Sequence, residues 1–164
     1  MAANQRQKRE DSIDGWSYWE QAMVPVLRVG VDEPRGPNQT GFMCSSIKNA
    51  FPLQARHCGI YEWAAKGTLP GQPNTLVVVY IGSTCRSKPG ALRGRILEYC
   101  RNGSHKEVFI NNALLRGYEL WVRVKIAEGS KPRETAQAME NALLDKYDYA
   151  WNTRRNGRIR NILP

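Results

Sequence analysis

The run LVVVYI at residues 76–81 is almost wholly β-branched or aromatic and has no polar alternation. A strand of that composition must be covered on both faces, so it reads as a central strand of a sheet with other layers packed against it. The segment 58–64 (CGIYEWA) reads as the preceding strand, and the connection over 66–74 carries Gly67, Pro70, Gly71 and Pro73. Residues 91–101 take helical spacing, with Leu92, Ile96, Leu97 and Cys100 on one face, and a second helix is expected over 106–115.

Residues 120–126 alternate, with Leu120, Val122, Val124 and Ile126 on one side and Trp121, Arg123 and Lys125 on the other. That pattern reads as a half-exposed strand. Gly129 and Ser130 interrupt the chain, Pro132 suits a first helical turn, and 135–147 reads as a helix followed by a basic tail. The order β-β-α-α-β-α, with a tight first connection, implies an α+β domain built on an antiparallel sheet flanked by helices. We place it at 55–164. Residues 1–54 are expected to form an N-terminal arm: a polar stretch over 1–11, a short helix over 12–27 whose tryptophans dock on the core, and a loop over 30–41.

Lysine and arginine outnumber aspartate and glutamate by 24 to 15, a net charge of +9. Residues 1–50 hold six basic and six acidic side chains, so the whole excess lies in 51–164. Positive charge segregated in this way is the footprint of a polyanion binder. No apolar run reaches the ~18 residues of a membrane-spanning helix, and residues 1–11 lack an apolar signal core. We expect no membrane partner and an intracellular location, nuclear if the source is eukaryotic. Cys44, Cys58, Cys85 and Cys100 form no CxxC pair, and His57 and His105 lie in different elements, which argues against structural zinc and for free thiols.

Several residues are candidates for chemistry. Tyr61 and Tyr80 sit on the first two core strands, where aromatic residues are common for packing reasons alone. Arg95 and Tyr99 are spaced i,i+4, which sets a guanidinium beside a phenol on one helix face, and a guanidinium fork suits a phosphate. Glu140 falls among Ala136, Met139, Leu143, Leu144 and Tyr147 on the core-facing stripe of its helix. A carboxylate there costs several kcal/mol unless paired, protonated or bound to a cation. A buried Glu–Arg pair is the structural alternative.

Gly59-Ile60-Tyr61 and Tyr80-Ile81-Gly82 on successive strands resemble the pair of tripeptides that names the GIY-YIG nucleases. Arg95 with Tyr99 resembles that family's Arg-xxx-Tyr/His helix, His105 a downstream histidine of some members, Glu140 its metal-binding glutamate and Asn152 its asparagine. The resemblance covers residues 58–154. The segment 147–152 (YDYAWN) with Asn156-Gly157 is similar to the GIY-YIG domain of plant effector-of-transcription proteins, whose cysteine-rich zinc repeats are absent here. The family implies a three-stranded antiparallel sheet flanked by helices and a single divalent ion, Mg2+ or Mn2+.

Under that resemblance the function is hydrolysis of DNA phosphodiesters. Glu140 would hold the ion, Arg95 clamp a phosphate oxygen, and Tyr61 activate water with its pKa lowered by neighbouring positive charge. Tyr80 and Tyr99 would orient water and phosphate, His105 would partner them, and Asn152 would support the site or contact phosphate. Lys88, Arg93, Arg101, Arg154, Arg155, Arg158 and Arg160 would grip the DNA backbone. The segment between the tripeptides, 62–79, is longer than the family's commonest spacing, which would either gate substrate or lengthen a hairpin. The alternatives are a DNA-binding regulatory module that cuts weakly or not at all, and a restriction-type enzyme cutting as a dimer.

Overall fold

The computed structural model describes residues 15–25, 41–44, 58–86, 91–101, 104–147 and 149–152. Its elements are β1 (Glu20–Pro25), β2 (Gly41–Met43), β3 (Cys58–Gly67), β4 (Val77–Cys85), α1 (Ala91–Tyr99), α2 (Glu107–Leu115), β5 (Tyr118–Ile126) and α3 (Pro132–Lys146). The strands form one sheet in the order β2-β1-β5-β3-β4, and every pairing is antiparallel. The α+β class and the flanking helices agree with expectation. The sheet is wider than the expected three strands, because residues before the core add β1 and β2.

The short helix expected over 12–27 is not what forms in its described part. Residues 20–25 are a strand that pairs Glu20 with Val122, Gln21 with Trp121 and Met23 with Leu120. The register shift between Gln21 and Met23 is a bulge, and it breaks the two-residue alternation that would mark a strand in the sequence. Residues 1–14 and 26–40 of the expected arm, and its boundary at 54, lie outside the described residues.

Side chains separate to two faces. Tyr61, Trp63 and Ala65 of β3 and Leu120, Val122 and Val124 of β5 pack with Leu92, Ile96, Tyr99, Ile110 and Leu114 of α1 and α2. The opposite face packs Ile60, Ala64, Val78 and Ile81 against Ala136 and Leu144 of α3, together with Trp16 and Trp19. Helix α3 starts with proline in its first turn, where the missing N–H has no intrahelical partner to lose. Glu134 in that turn and Lys146 in the last both suit the helix dipole.

Strand β5 is not half-exposed. Arg123 is fully buried, because Trp16 and Trp19 cover it, with its guanidinium carbon 4.4 Å and 4.8 Å from their ring centres. Its Nε donates to Glu62 Oε1 at 2.8 Å, a second guanidinium nitrogen bonds the same oxygen, and the Tyr149 hydroxyl donates to Glu62 Oε2 at 2.6 Å. A charge is tolerated at 0% exposure because the opposite charge and these donors share its site.

Strand β4 is covered on both faces, yet it lies at the edge of the sheet rather than its centre. The chain after α3 closes that edge. Trp151 N donates to Val79 O at 2.9 Å, Ile81 N donates to Asn152 Oδ1 at 3.0 Å, and Asn152 Nδ2 donates to Ile81 O at 2.9 Å. One asparagine thus stands in for a neighbouring strand, satisfying a buried N–H and C=O on the outer side of the edge strand.

The register of β3 against β4 sets Cys58 opposite Cys85, with Cα atoms 4.1 Å apart, and the two are disulfide-bonded. This corrects the expectation of free thiols for that pair, since 27 residues of chain separation conceal a cross-strand contact. Cys44 and Cys100 keep thiols, and burial pushes that of Cys100 up to about 12. The segment between the tripeptides lengthens the hairpin. Its turn is tied away from the tyrosines, with Gln72 Nε2 donating to Arg116 O at 2.7 Å and Thr68 Oγ1 to Gly117 O at 2.5 Å. Among the described residues no helix is long and apolar enough to cross a membrane.

Candidate active site

The two tripeptides sit side by side on β3 and β4, with Tyr61 opposite Gly82 and Gly59 opposite Thr84. Each glycine answers a steric demand. A Cβ on Gly82 would stand 2.5 Å from the Tyr61 hydroxyl oxygen and 2.6 Å from its Cζ, so the ring can lie across the strand only over a glycine. A Cβ on Gly59 would meet Lys125 O of β5 at 2.6 Å and Leu92 Cδ2 of α1 at 3.0 Å. The motif therefore encodes close backbone approach beneath a tyrosine.

Three phenols converge there. The Tyr61 and Tyr99 hydroxyls are 2.8 Å apart, the Tyr99 hydroxyl donates to Tyr80 at 3.4 Å, and the Tyr80 hydroxyl is 3.0 Å from His105 Nε2. The rings of Tyr61 and Tyr99 meet edge-on at 5.5 Å between centres, a favourable aromatic arrangement that locks their orientation. Helix α1 delivers Tyr99 and, one turn earlier, Arg95, whose guanidinium lies 4.9 Å from the Tyr99 ring centre.

Arg95 Nη1 donates to Glu98 Oε2 at 2.7 Å, and Arg86 binds the other oxygen of Glu98 at 2.9 Å. Burial works against the Arg95 charge, but hydrogen bonds to the Glu98 carboxylate and to Tyr61 support it and the guanidinium stays protonated. The paired arginines, Arg86 first, hold the Glu98 carboxyl below its usual range. The sequence reading missed Glu98 and Arg86. The i,i+3 spacing of Arg95 and Glu98 was the available signal for the first, whereas Arg86 lies 12 residues from Glu98, with no local spacing that links them.

Glu140 occupies the line Ala136, Glu140, Leu144 that α3 turns towards the sheet, and it is 9% exposed. Its Oε2 accepts a 2.5 Å hydrogen bond from Ser83 Oγ, the residue directly after the second tripeptide and another that the sequence reading missed. Its negative charge reaches Tyr61 and Tyr80 and helps to raise the pKa of both. A buried Glu–Arg pair is also present in this domain, formed by Glu62 and Arg123.

Burial raises the pKa of Tyr61, and the Tyr99 hydrogen bond and Arg95 offset it only in part. The expected lowering by neighbouring positive charge is thus outweighed by desolvation. Burial likewise raises Tyr80 and Tyr99. His105, exposed at the end of this row, is lowered by partial desolvation and by the charges of Lys106 and Arg95, so its imidazole is neutral at pH 7. Lys106 is itself pinned, donating to Trp151 O at 2.5 Å with its ammonium 5.1 Å from the Tyr80 ring centre.

Asn152 lies on the edge of the same strand, with both ends of its amide on the Ile81 backbone. That geometry makes it a support for the tripeptide and leaves its oxygen and nitrogen engaged. Arg101 is exposed just beyond α1, while Arg93 is half-buried. Lys88, Arg154, Arg155, Arg158 and Arg160 lie outside the described residues.

Among the described residues there is no group of three or more His, Cys, Asp or Glu that could hold a metal ion. The donor beside the tyrosines is one buried carboxylate, oriented through one oxygen by Ser83. Such a site suits a hard, strongly hydrated cation such as Mg2+, which keeps most of its water and uses one or two carboxylates with substrate oxygens. It does not suit zinc, which takes three or four nitrogen or sulfur donors.

Comparison with curated proteins and with solved structures gives no match. A family model described as GIY-YIG domain-containing protein matches residues 46–162, a span that takes in both tripeptides, the Arg95–Tyr99 helix, Glu140 and Asn152. Matched over most of its length, the chain belongs to the GIY-YIG nuclease superfamily.

Proposed function

We propose that this protein is a metal-dependent endonuclease that hydrolyses phosphodiester bonds of DNA. One observation carries the reading: the hydroxyls of Tyr61, Tyr99 and Tyr80 form a connected row, flanked by the Arg95 guanidinium and lying within the field of Glu140. A base and a phosphate clamp thereby share one cluster, and a carboxylate carried by α3 acts on it electrostatically.

Hydrolysis of a phosphodiester needs positioning and charge neutralisation more than covalent help. Arg95 uses one of its five N–H groups on Glu98 and stays partly exposed, so it can meet a non-bridging phosphate oxygen while held in place. Tyr61 receives a proton from the attacking water through its hydroxyl oxygen. Tyr99 holds that hydroxyl in orientation, and Gly82 gives the ring its seat. Glu140 would hold the Mg2+ or Mn2+ ion, which when bound supplies charge neutralisation at the phosphate and the departing 3′ oxygen. Asn152 keeps the Tyr80–Gly82 strand edge in register. Arg101 and the basic residues beyond 152 would add the sequence-independent grip expected from the +9 charge.

The second reading, a DNA-binding regulatory module that cuts slowly, has its own support. Glu98 already engages Arg95, and burial holds Tyr61 protonated. Incubating the full chain with supercoiled plasmid in magnesium or EDTA, beside the Tyr61→Phe variant, separates the two. The nuclease reading expects magnesium-dependent nicking that falls roughly 10²–10⁴-fold in the variant at similar DNA affinity. Binding without nicking would favour the regulatory module.

A further inference from the structure

Each phenol in the row carries a single hydroxyl proton, so one assigned donor orders all the others. The Tyr99 hydroxyl donates to Tyr80, which leaves it able only to accept from Tyr61. Tyr80, having accepted from Tyr99, has its own proton free for His105 Nε2 at 3.0 Å. The row is then polarised in one sense, from a buried tyrosine to an exposed imidazole. Tyr61 and Tyr99 are each 1% exposed and Tyr80 is 7% exposed, whereas His105 faces solvent.

We propose that Tyr61, Tyr99 and Tyr80 form a directional proton relay that carries the proton of the attacking water to His105 Nε2 and on to solvent. The inference rests on the nuclease reading of the same site and deepens it. A water O–H bond breaks as its proton joins the Tyr61 oxygen. The Tyr61 proton passes to Tyr99, that of Tyr99 to Tyr80, and that of Tyr80 to Nε2. The electron pair left on the water oxygen forms the new bond to phosphorus, the bond from phosphorus to the 3′ oxygen breaks, and the leaving oxygen takes a proton from solvent. Each tyrosine ends with one hydroxyl proton but with its donor direction reversed. The imidazolium loses one proton to bulk water, and rotation of the hydroxyls with tautomer exchange at His105 resets the row before the next turnover.

This arrangement resolves a difficulty of the simpler scheme. A standing phenolate on Tyr61 would be a buried anion, and burial raises the pKa of all three phenols. A relay leaves no charge behind in the cluster, and the only group that becomes charged is the exposed one. The groups facing His105 are Tyr80 from β4, Tyr99 and Arg95 from α1, and its neighbour Lys106. Desolvation and the two cations keep the imidazole neutral at pH 7 and ready to accept. Residues 80, 99 and 105 act through Tyr61 and are relay and positioning groups; Tyr61 alone touches the attacking water.

The test combines a pH profile with a spectroscopic readout that does not require cutting. Single-turnover nicking of plasmid by the full chain in magnesium should rise with pH through one inflection below the ordinary imidazole value of ~6.5 and then level off. His105→Gln keeps a hydrogen-bond acceptor for Tyr80 but cannot take the proton. It should lose the inflection and fall ~10²-fold at pH 7 with DNA affinity and Tm unchanged, and added imidazole should restore rate to His105→Gly. Long-range 15N–1H spectra of the intact protein should show His105 protonated on Nδ1 with Nε2 accepting, and Tyr80→Phe should shift the Nε2 resonance. An inflection that survives in His105→Gln, or a His105 protonated on Nε2 at neutral pH, overturns the relay while leaving the nuclease reading in place. A wild type that never nicks DNA overturns the nuclease reading and the relay with it.

Discussion

Gly82→Ala puts the placement of Tyr61 to a direct steric trial. The added methyl would lie 2.5, 2.6 and 2.7 Å from Oη, Cζ and Cε2 of Tyr61, three atoms of one rigid ring. Ordinary contact is ~3.5 Å, so the ring has to move by roughly 1 Å. Tyr99, Tyr80 and the body of the first core layer stand against it, and no flexible end can swing aside. Overpacking of this kind costs ~1–3 kcal/mol, or roughly 3–10 °C of Tm for a chain of this size. A 1 Å displacement of the base should slow cleavage ~10²-fold. Since Gly82 is buried, DNA affinity should hold. The assays are urea unfolding and single-turnover nicking. Gly94→Ala is the companion measurement, because a methyl there meets nothing within 4 Å in the interior of α1 and should add up to ~1 kcal/mol of stability. A Gly82→Ala variant with the stability and rate of the wild type would refute the seating of Tyr61 over that glycine.

Other perturbations probe the frame around the site. Glu62→Gln strands the fully buried Arg123 guanidinium between Trp16 and Trp19 and should cost ~3–5 kcal/mol in denaturant unfolding; a loss under 1 kcal/mol would contradict the pair's burial. Thiol titration of the unfolded chain without reductant should count two thiols and with reductant four, and reduction should lower stability by ~3 kcal/mol, while four thiols without reductant would exclude the Cys58–Cys85 bond.

The core was readable in the sequence where a residue's environment is set locally. Helices α1 to α3 and strands β3 to β5 fall where apolar spacing, glycines and Pro132 place them, and Glu140 could be seen on the inward stripe of α3. What escaped depends on partners far along the chain. Arg123 looked solvated because Trp16, Trp19 and Tyr149, which cover or join its ion pair, come from both ends of the described chain. Apolar composition told that β4 is covered on both faces but not which strands hydrogen-bond it, so its edge position and its closure by Asn152 were hidden. The disulfide needed the β3–β4 register, and β1 was masked by its bulge. In the site, the residue types were legible, whereas the order of the hydroxyl row and the Ser83–Glu140 contact exist only in three dimensions.

The central claim is that Glu140 anchors the cation of a phosphodiester-cutting centre. Its most direct measurement is plasmid nicking by wild type and Glu140→Gln across a magnesium titration, with both proteins first shown to be folded by thermal unfolding. Gln keeps the shape and can still accept from Ser83, but it removes the charge. We predict nicking by the wild type that saturates with magnesium and vanishes in EDTA. The variant should be folded and bind DNA, yet nick at least ~10²-fold more slowly at every magnesium concentration, consistent with loss of charge neutralisation worth several kcal/mol. Nicking by Glu140→Gln at the wild-type rate and magnesium dependence would contradict the assignment.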